Sequence, residues 1–278
     1  MYRELAEPDI QAVLENLNKD GYSYVSQAVS PEAVQKALVK VSHWYEATKC
    51  VQSDRMPYLN AGQSMVYNLQ SKDLFFIRLL LGNPLVRKVL MHFLNDQWFT
   101  KIPAGEPNYI LRSFLARSSN HQMPMHIDSF IPSSGRHSFM MQCALLLEDS
   151  NETNGCTVLV PGSHLSDEYT TQDSFATARP MEAKAGDLIF WDSRLWHGAR
   201  ANVSSGSRWA MIATFGRWWI KQAFDIPASL PQSIYDQLTD SEKAVLGFCS
   251  VPYHDETRGI DMKRSYDLLP EQVRDCKN

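Results

Sequence analysis

The feature that most constrains the fold is a series of short apolar runs between Asn108 and Phe215. Gly, Ser, Asn and Pro separate these runs, a composition typical of strands joined by tight turns. The pattern predicts strands near 108–117, 124–130, 138–148, 156–160, 187–192, 195–200 and 207–216. Seven or eight short strands at such spacing predict a sandwich or a double-sheet jelly roll.

Apolar residues at helical spacing flank this β-rich region on both sides. They predict helices over 9–19, from Ser30-Pro31 to about Ala47, and over 74–99 with a break at 82–84. A short strand is expected at 22–25 and an irregular segment at 53–68. After Pro227 the pattern returns to helix, where Thr239 and Glu242 form a capping-box signal.

The predicted fold class is mainly β with helical cover. We expect a single domain over 1–278 with a double-stranded β-helix, or jelly-roll, core at 106–220. Helices at 1–105 would cover this core, and 221–278 would form a helical tail. That tail could pair two subunits as a homodimer, but the sequence leaves the oligomeric state open.

Composition argues against several classes of protein. A net charge of −4 without a basic run disfavours nucleic-acid binding. The longest apolar stretches are too short to span a bilayer, and the first residues lack the apolar core of a signal peptide. The five cysteines are scattered and contain no Cys-x-x-Cys, so we expect a protein of the reducing cytoplasm.

His126 and Asp128 form the most informative short motif. In an extended segment, side chains two residues apart point to the same face, so an imidazole and a carboxylate would converge. With a second histidine they would make the facial triad that holds Fe(II) and leaves positions open. The motif is weak by itself, because the chain has eight histidines.

Two downstream residues strengthen this interpretation. His197 lies 71 residues after His126 and follows a strand that looks buried. Arg208 comes eleven residues later, at the start of an apolar run. Burying an arginine there is costly unless it meets an anion, and its planar fork suits a carboxylate.

Together with the segment 154–164 and the Gly186-Asp187 strand, these residues resemble the phytanoyl-CoA dioxygenase family of Fe(II)/2-oxoglutarate oxygenases. The resemblance covers 108–216 and, more loosely, 9–48. It implies that His126, Asp128 and His197 bind iron and that Arg208 binds the distal carboxylate of 2-oxoglutarate, with O2 as the oxidant.

Two further residues are candidates for contacts in the site. Members of the resembled family often carry a hydroxyl two residues after the distal histidine, where this chain has Ala199. Ser129 is a candidate replacement for that hydroxyl. Gln142, on the strand after the motif, faces either the core or the pocket, and in the pocket it would contact co-substrate or substrate.

The implied activity is a dioxygenase that hydroxylates, desaturates or cyclises a small molecule, with release of succinate and CO2. Three alternatives remain: a halogenase, which the carboxylate of Asp128 disfavours; a nucleic-acid demethylase, which the charge disfavours; and a non-catalytic metal-binding jelly roll. Aromatic residues and Met in 53–68, 118–137 and after 220 favour a partly apolar ligand, such as a natural product. No Arg/Lys cluster in those segments fits a CoA diphosphate.

The remaining histidines and two of the cysteines have simpler expected roles. His121 and His137 are expected in loops or in the substrate pocket, and His164 is expected to bond backbone. Cys143 and Cys156, on apolar strands, are expected to be inert buried thiols.

Overall fold

Two antiparallel sheets dominate the fold, which was obtained as a computed structural model describing residues 1–55, 63–253 and 255–257. The larger sheet has six strands in the order β1-β8-β5-β10-β3-β2, and the smaller has four in the order β4-β9-β6-β7. The strands, in chain order, are β1 (Tyr22–Val25), β2 (Gln63–Tyr67), β3 (Ile110–Ser119), β4 (Met123–His126), β5 (Met140–Leu146), β6 (Thr157–Leu159), β7 (Arg179–Met181), β8 (Leu188–Asp192), β9 (His197–Ala199) and β10 (Ala210–Gly216).

Helices precede and follow the two sheets. In chain order they are α1 (Glu7–Asp20), α2 (Pro31–Arg55), α3 (Leu74–Leu80), α4 (Pro84–Leu94), α5 (Ile226–Ser229), α6 (Gln232–Tyr235) and α7 (Asp240–Val245). Short 3-10 turns lie at Leu69–Ser71, Ser163–Leu165 and Gln172–Ala176. No helix in the described part of the chain is both long and apolar enough to cross a membrane.

Strand β5 shows why the central strands read as continuous apolar runs. All seven of its residues are buried. Met141, Cys143 and Leu145 belong to the core cluster that includes the helices, whereas Ala144 and Leu146 pack toward the smaller sheet. A strand covered on both faces loses the apolar–polar alternation of a half-exposed strand.

The turn between α3 and α4 follows from local sequence. The Asn83 side chain accepts a hydrogen bond from the backbone N–H of Leu85 at 3.0 Å, and Pro84 occupies the first helical turn. Such a cap satisfies a backbone donor that has no partner within the helix, while proline fixes a helical φ angle. The predicted break at 82–84 is thereby confirmed.

The jelly-roll fold is confirmed, as are the capping box on α7 and all seven predicted strands of the core. Four local predictions are wrong. Residues 63–67 form β2 rather than an irregular segment, because they pair with β3. Helix α4 ends at Leu94, since Asn95 leaves the helix and accepts a bond from the N–H of Asn108.

The other two corrections concern the ends of one strand and one helix. Strand β4 ends at His126 instead of 130, and helix α2 runs on to Arg55 instead of ending near Ala47. In addition, strand β7 was not predicted, because its three residues are too few for a period to show. Two of the predicted segments lie partly outside the described residues. They are the irregular segment, at 56–62, and the helical tail, at 254 and 258–278.

Candidate active site

His126 and His197 face each other on neighbouring strands of the smaller sheet. The two residues are paired across β4 and β9, and their ring centroids lie 4.2 Å apart. Asp128 follows the end of β4, with its Oδ1 3.6 Å from His126 Nε2 and its Oδ2 3.3 Å from His197 Nε2. Ligand atoms of the three residues lie within 4.8 Å of one another, and no other such cluster occurs in the part of the chain that the structure describes.

Backbone carbonyls fix the orientation of both rings. His126 Nδ1 lies 2.8 Å from Pro124 O, and His197 Nδ1 lies 2.9 Å from Leu195 O. A carbonyl oxygen only accepts, so each Nδ1 carries a proton, and in the neutral ring each Nε2 keeps a lone pair for a metal. Both lone pairs then point toward Asp128.

A turn after β8 holds Asp128 in place. Ser193 O accepts hydrogen bonds from the backbone N–H groups of Asp128, at 2.8 Å, and Ser129, at 3.0 Å. The flanking residues Asp192 and Arg194 form a buried ion pair at 2.9 Å. The carboxylate therefore depends on a rigid turn from another strand and not only on its own loop.

The three groups perturb one another strongly. Burial alone would raise the pKa of Asp128, but the charge and hydrogen bond of His197, together with His126, outweigh burial and lower that pKa to about 2. Burial would lower the pKa of His197, yet Asp128 raises it. Burial and the neighbouring His197 lower the pKa of His126. Asp128 is thus an anion throughout the physiological range.

Gln142 reaches the same carboxylate from β5. Its Nε2 donates to Asp128 Oδ2 at 2.8 Å, and its Oε1 accepts from Thr214 Oγ1 at 2.6 Å. The structure therefore brings this sequence-predicted residue into the site, as a partner of Asp128.

A cavity of about 240 Å³ opens beside the three groups, and Arg208 lies in its wall. This arginine is only 8% exposed, and its Nε has no hydrogen-bond partner among the described residues. Burial and the nearby Arg117 lower the pKa of Arg208 to about 10, so it still carries its charge at neutral pH. A buried cation with a free donor is suited to bind an anionic ligand.

Ser129 is not brought to this cavity. Its hydroxyl donates to Ile131 O at 3.0 Å in an exposed turn, and it is not part of the cavity wall. The reason is that the chain turns away once Asp128 and Ser129 have bonded Ser193 O. As a replacement for the hydroxyl missing at Ala199, the residue is badly placed.

Thr157 places a residue with a hydroxyl in the cavity wall, and the sequence did not single it out. It lies directly opposite Ala199 in the pairing of β6 with β9, and it lines the cavity together with Arg208. Only the strand register reveals this relationship, because 42 positions separate the two residues in sequence.

Arg112 and Arg117 were also missed, and both line the cavity from β3. A signal was present, since two arginines interrupt the otherwise apolar and small-residue stretch 110–119. The segment 118–137 predicted as a pocket wall begins just after Arg117 and so excludes both arginines.

The other histidines and the thiols lie apart from the cluster. His164 Nε2 contacts Asn18 O at 3.2 Å, in keeping with the expected backbone bond. His121 and His137 are exposed and do not line the cavity. Cys143 and Cys156 are fully buried, and burial raises the pKa of both thiols, as expected for inert groups.

These residues fit a divalent metal and a dicarboxylate co-substrate. Two imidazole nitrogens and one carboxylate whose ligand atoms lie close together are the donor set of non-heme Fe(II) oxygenases, and His126, Asp128 and His197 would hold such a metal. The free Nε of Arg208 lies in the same cavity, where it can meet a distant carboxylate.

The family model described as Phytanoyl-CoA dioxygenase matches residues 17–210. The chain belongs to the phytanoyl-CoA dioxygenase family. It is 23% identical over 228 residues to the dioxygenase himG of Aspergillus japonicus, covering 74% of this chain and 68% of the relative.

Solved structures share the fold of this phytanoyl-CoA dioxygenase family member. The non-heme alpha-ketoglutarate-dependent epimerase SnoN from nogalamycin biosynthesis aligns with a TM-score of 0.56 and 18% identity, covering 76% of this chain and 84% of SnoN. HygX from Streptomyces hygroscopicus, with nickel and 2-oxoglutarate bound, aligns with a TM-score of 0.59 and 13% identity, covering 79% of this chain and 90% of HygX. Family and site together identify the protein as a dioxygenase dependent on iron and 2-oxoglutarate.

Proposed function

We propose that this dioxygenase hydroxylates a small, partly apolar molecule, with desaturation or ring closure as related outcomes of the same site. The observation that carries the proposal is the His126-Asp128-His197 cluster opening onto the cavity that contains Arg208. Iron and 2-oxoglutarate, when bound, supply the activation of O2 that oxidises a C–H bond and releases succinate and CO2.

Each residue of the site has a proposed role in this activity. His126 and His197 offer Nε2 to the metal, and Asp128 offers a charged oxygen that offsets part of the metal charge. Gln142 orients the carboxylate. Arg208 binds the distal carboxylate of 2-oxoglutarate.

Thr157 is proposed to replace the hydroxyl that is absent at Ala199. Thr157 is paired with Ala199 across β6 and β9, and it lines the same cavity as Arg208. A carboxylate bound to Arg208 would therefore lie in the cavity that Thr157 lines. A hydroxyl adds a second donor to a carboxylate that the arginine binds through its fork.

The rest of the cavity wall contains both polar and apolar side chains. Trp191, Leu115 and Ile212 contribute apolar surface that excludes water from the site. Such walls support a substrate with an apolar body, and the relation to SnoN, an enzyme of nogalamycin biosynthesis, supports a natural product as that substrate. Location in the cytoplasm and assembly as a homodimer stay predictions from the sequence.

The proposal is tested by measuring succinate formation from 2-oxoglutarate under air, with and without Fe(II), across a panel of candidate substrates. We expect iron-dependent succinate that rises with the correct substrate and is lost in His197→Ala. The matched control is His92→Ala, since His92 is exposed on α4. Succinate formation that persists in His197→Ala would refute the assigned metal site, and its absence in the parent protein would favour a non-catalytic jelly roll.

A further inference from the structure

Three guanidinium groups line one cavity. Arg208 comes from the segment before β10, whereas Arg112 and Arg117 come from β3. Among the residues that the structure describes, Asp128 is the one carboxylate in the wall of that cavity. The cavity therefore holds more positive than negative charge before any ligand enters.

A β-bulge directs Arg112 of β3 into the cavity. The register between β3 and β10 shifts at Arg112, which has no partner of its own in β10. As a result Leu111 and Phe114 both point into the main core, while Arg112 and Ser113 both line the cavity. Strict alternation from Phe114 would have sent Arg112 into the core. Bulges next to active sites commonly re-aim side chains in this way.

Neither arginine of β3 contacts a carboxylate, although the negative charge of Asp128 acts on both and partly offsets the effect of burial on their pKa values. Within residues 1–55, 63–253 and 255–257, no ion pair includes Arg112 or Arg117. Arg117 donates to Met123 Sδ at 2.7 Å, and the Arg112 guanidinium lies 5.5 Å from the ring centroid of Phe130. Both groups are partly desolvated, and burial lowers the pKa of each. Burying cations beside weak acceptors costs stability unless a ligand compensates them.

The proposed function does not use these two charges. If the metal is divalent and 2-oxoglutarate is a dianion, Asp128 and Arg208 bring the loaded site to neutrality. Arg112 and Arg117 then remain as a surplus of positive charge on the wall of the same cavity. The primary substrate is the remaining ligand of the reaction that could neutralise them.

We propose that Arg112 and Arg117 form an anion subsite that binds a carboxylate or phosphate group of the primary substrate. The inference rests on the proposed function, because it assigns to Arg208 the carboxylate of 2-oxoglutarate. The subsite anchors the charged end of the substrate on β3 and leaves its apolar body near the metal. The substrate class is therefore an apolar molecule with one anionic group, and a neutral analogue is a poor ligand.

The test uses full-length protein loaded with Ni(II) and saturating 2-oxoglutarate, so that no turnover occurs during titration. Calorimetry would measure the binding of benzoate, phenyl phosphate and the neutral benzamide. We expect at least one anion to bind about ten-fold or more tightly than benzamide, since charge-assisted bonds exceed neutral ones. Whichever anion binds more tightly identifies the carboxylate or the phosphate as the preferred group.

Variants of Arg112 and Arg117 test whether the anion binds to these two residues. Arg117→Gln and Arg112→Gln should each weaken anion binding about ten-fold and leave benzamide binding unchanged, while Arg117→Lys should retain part of the affinity. Arg179→Gln makes the same charge change on exposed β7 and should have no effect. Thermal unfolding of each variant confirms that it folds.

Three results would overturn the subsite. The first is anion binding that both glutamine variants leave unchanged. The second is anion binding that occurs without 2-oxoglutarate and is abolished by it, because the anion would then occupy Arg208. The third is equal binding of benzamide and both anions. Failure of 2-oxoglutarate itself to bind the Ni(II) protein would instead contradict the proposed function, so the two failures are distinguishable.

Discussion

Gln142 donates from Nε2 to Asp128 Oδ2 at 2.8 Å, and Thr214 fixes which end of the amide points that way. Because the Thr214 hydroxyl donates to Gln142 Oε1, the amide can offer only its NH2 group to the carboxylate. The bond occupies one lone pair of Oδ2 and sets the direction of the others. Outer partners of this kind orient metal ligands and tune their affinity.

Replacing Gln142 with Leu should therefore weaken metal binding by about 10- to 100-fold. The measurement is a titration of the metal-free protein with Co(II), monitored by the absorption of the bound Co(II). Thr214→Val removes only the bond that orients the amide and should have a smaller effect in the same direction. Equal Co(II) affinity in the Gln142→Leu variant and the parent would show that the carboxylate does not need this support.

The centre of the site could be predicted because its signals are local. His126 and Asp128 are two residues apart, and Arg208 follows His197 by eleven residues. These spacings carry the resemblance to the family, and the resemblance implied the role of each residue. The fold class followed from short apolar runs along the chain.

The residues that were missed depend on pairing between distant strands. Thr157 meets Ala199 only through the register of β6 with β9, and Arg112 enters the cavity only because of a bulge. Spacing rules assume strict alternation, so one inserted residue reverses the predicted face. Ser129 shows that closeness in sequence can also mislead. It directly follows the candidate ligand Asp128, but the turn fixed by Ser193 O directs its hydroxyl to Ile131 O and not into the cavity.

Arg208→Ala should raise the Kd for 2-oxoglutarate about a hundred-fold or more. Breaking a buried charge pair costs about 3–5 kcal/mol, and about 1.4 kcal/mol corresponds to a factor of ten. Arg208→Lys should recover only part of the affinity, because an ammonium group lacks the bidentate fork. Calorimetry on the Ni(II) protein measures both constants without turnover.

The control for this prediction is 2-oxobutyrate, which lacks the distal carboxylate. The parent protein should prefer 2-oxoglutarate strongly over 2-oxobutyrate, whereas Arg208→Ala should bind the two acids with similar affinity. If the preference is the same in both proteins, another cation reads the distal carboxylate, and Arg117 would be the first to examine because it shares the cavity.

Thr157→Val should raise the Kd for 2-oxoglutarate by roughly ten-fold or more, since a hydrogen bond to a charged group contributes about 1.5–3 kcal/mol. Because Ala199 lies opposite Thr157, a serine at 199 can present a hydroxyl from the neighbouring strand. The double variant Thr157→Val/Ala199→Ser should therefore recover much of the lost affinity. A double-mutant cycle compares the two single variants with the double variant. If their effects on the free energy of 2-oxoglutarate binding simply add, the two hydroxyls do not contact the same ligand atom.

The buried ion pair of Asp192 and Arg194 holds together the loops next to the active site, and we expect it to contribute strongly to their stability. Arg194 Nε and Nη2 each lie 2.9 Å from the Asp192 carboxylate, and Nη1 donates to Ser133 O and Gly135 O. Ser138 Oγ donates to the same carboxylate at 2.5 Å. The pair thus connects the segment after Asp128 to the turn at Ser193.

Arg194→Met should lower the free energy of unfolding by about 3–5 kcal/mol, because it leaves the Asp192 carboxylate buried without its counter-charge. Urea unfolding of the metal-free protein measures the change without interference from ligand binding. Lys184→Met is the matched control, since its ion pair with Asp149 is largely exposed, at 75% and 51% for the two side chains, and should contribute little to stability. Adding Asp192→Asn to Arg194→Met removes the orphaned charge and should restore part of the stability. If Arg194→Met and Lys184→Met cost the same, the turn at Ser193 does not depend on the buried pair.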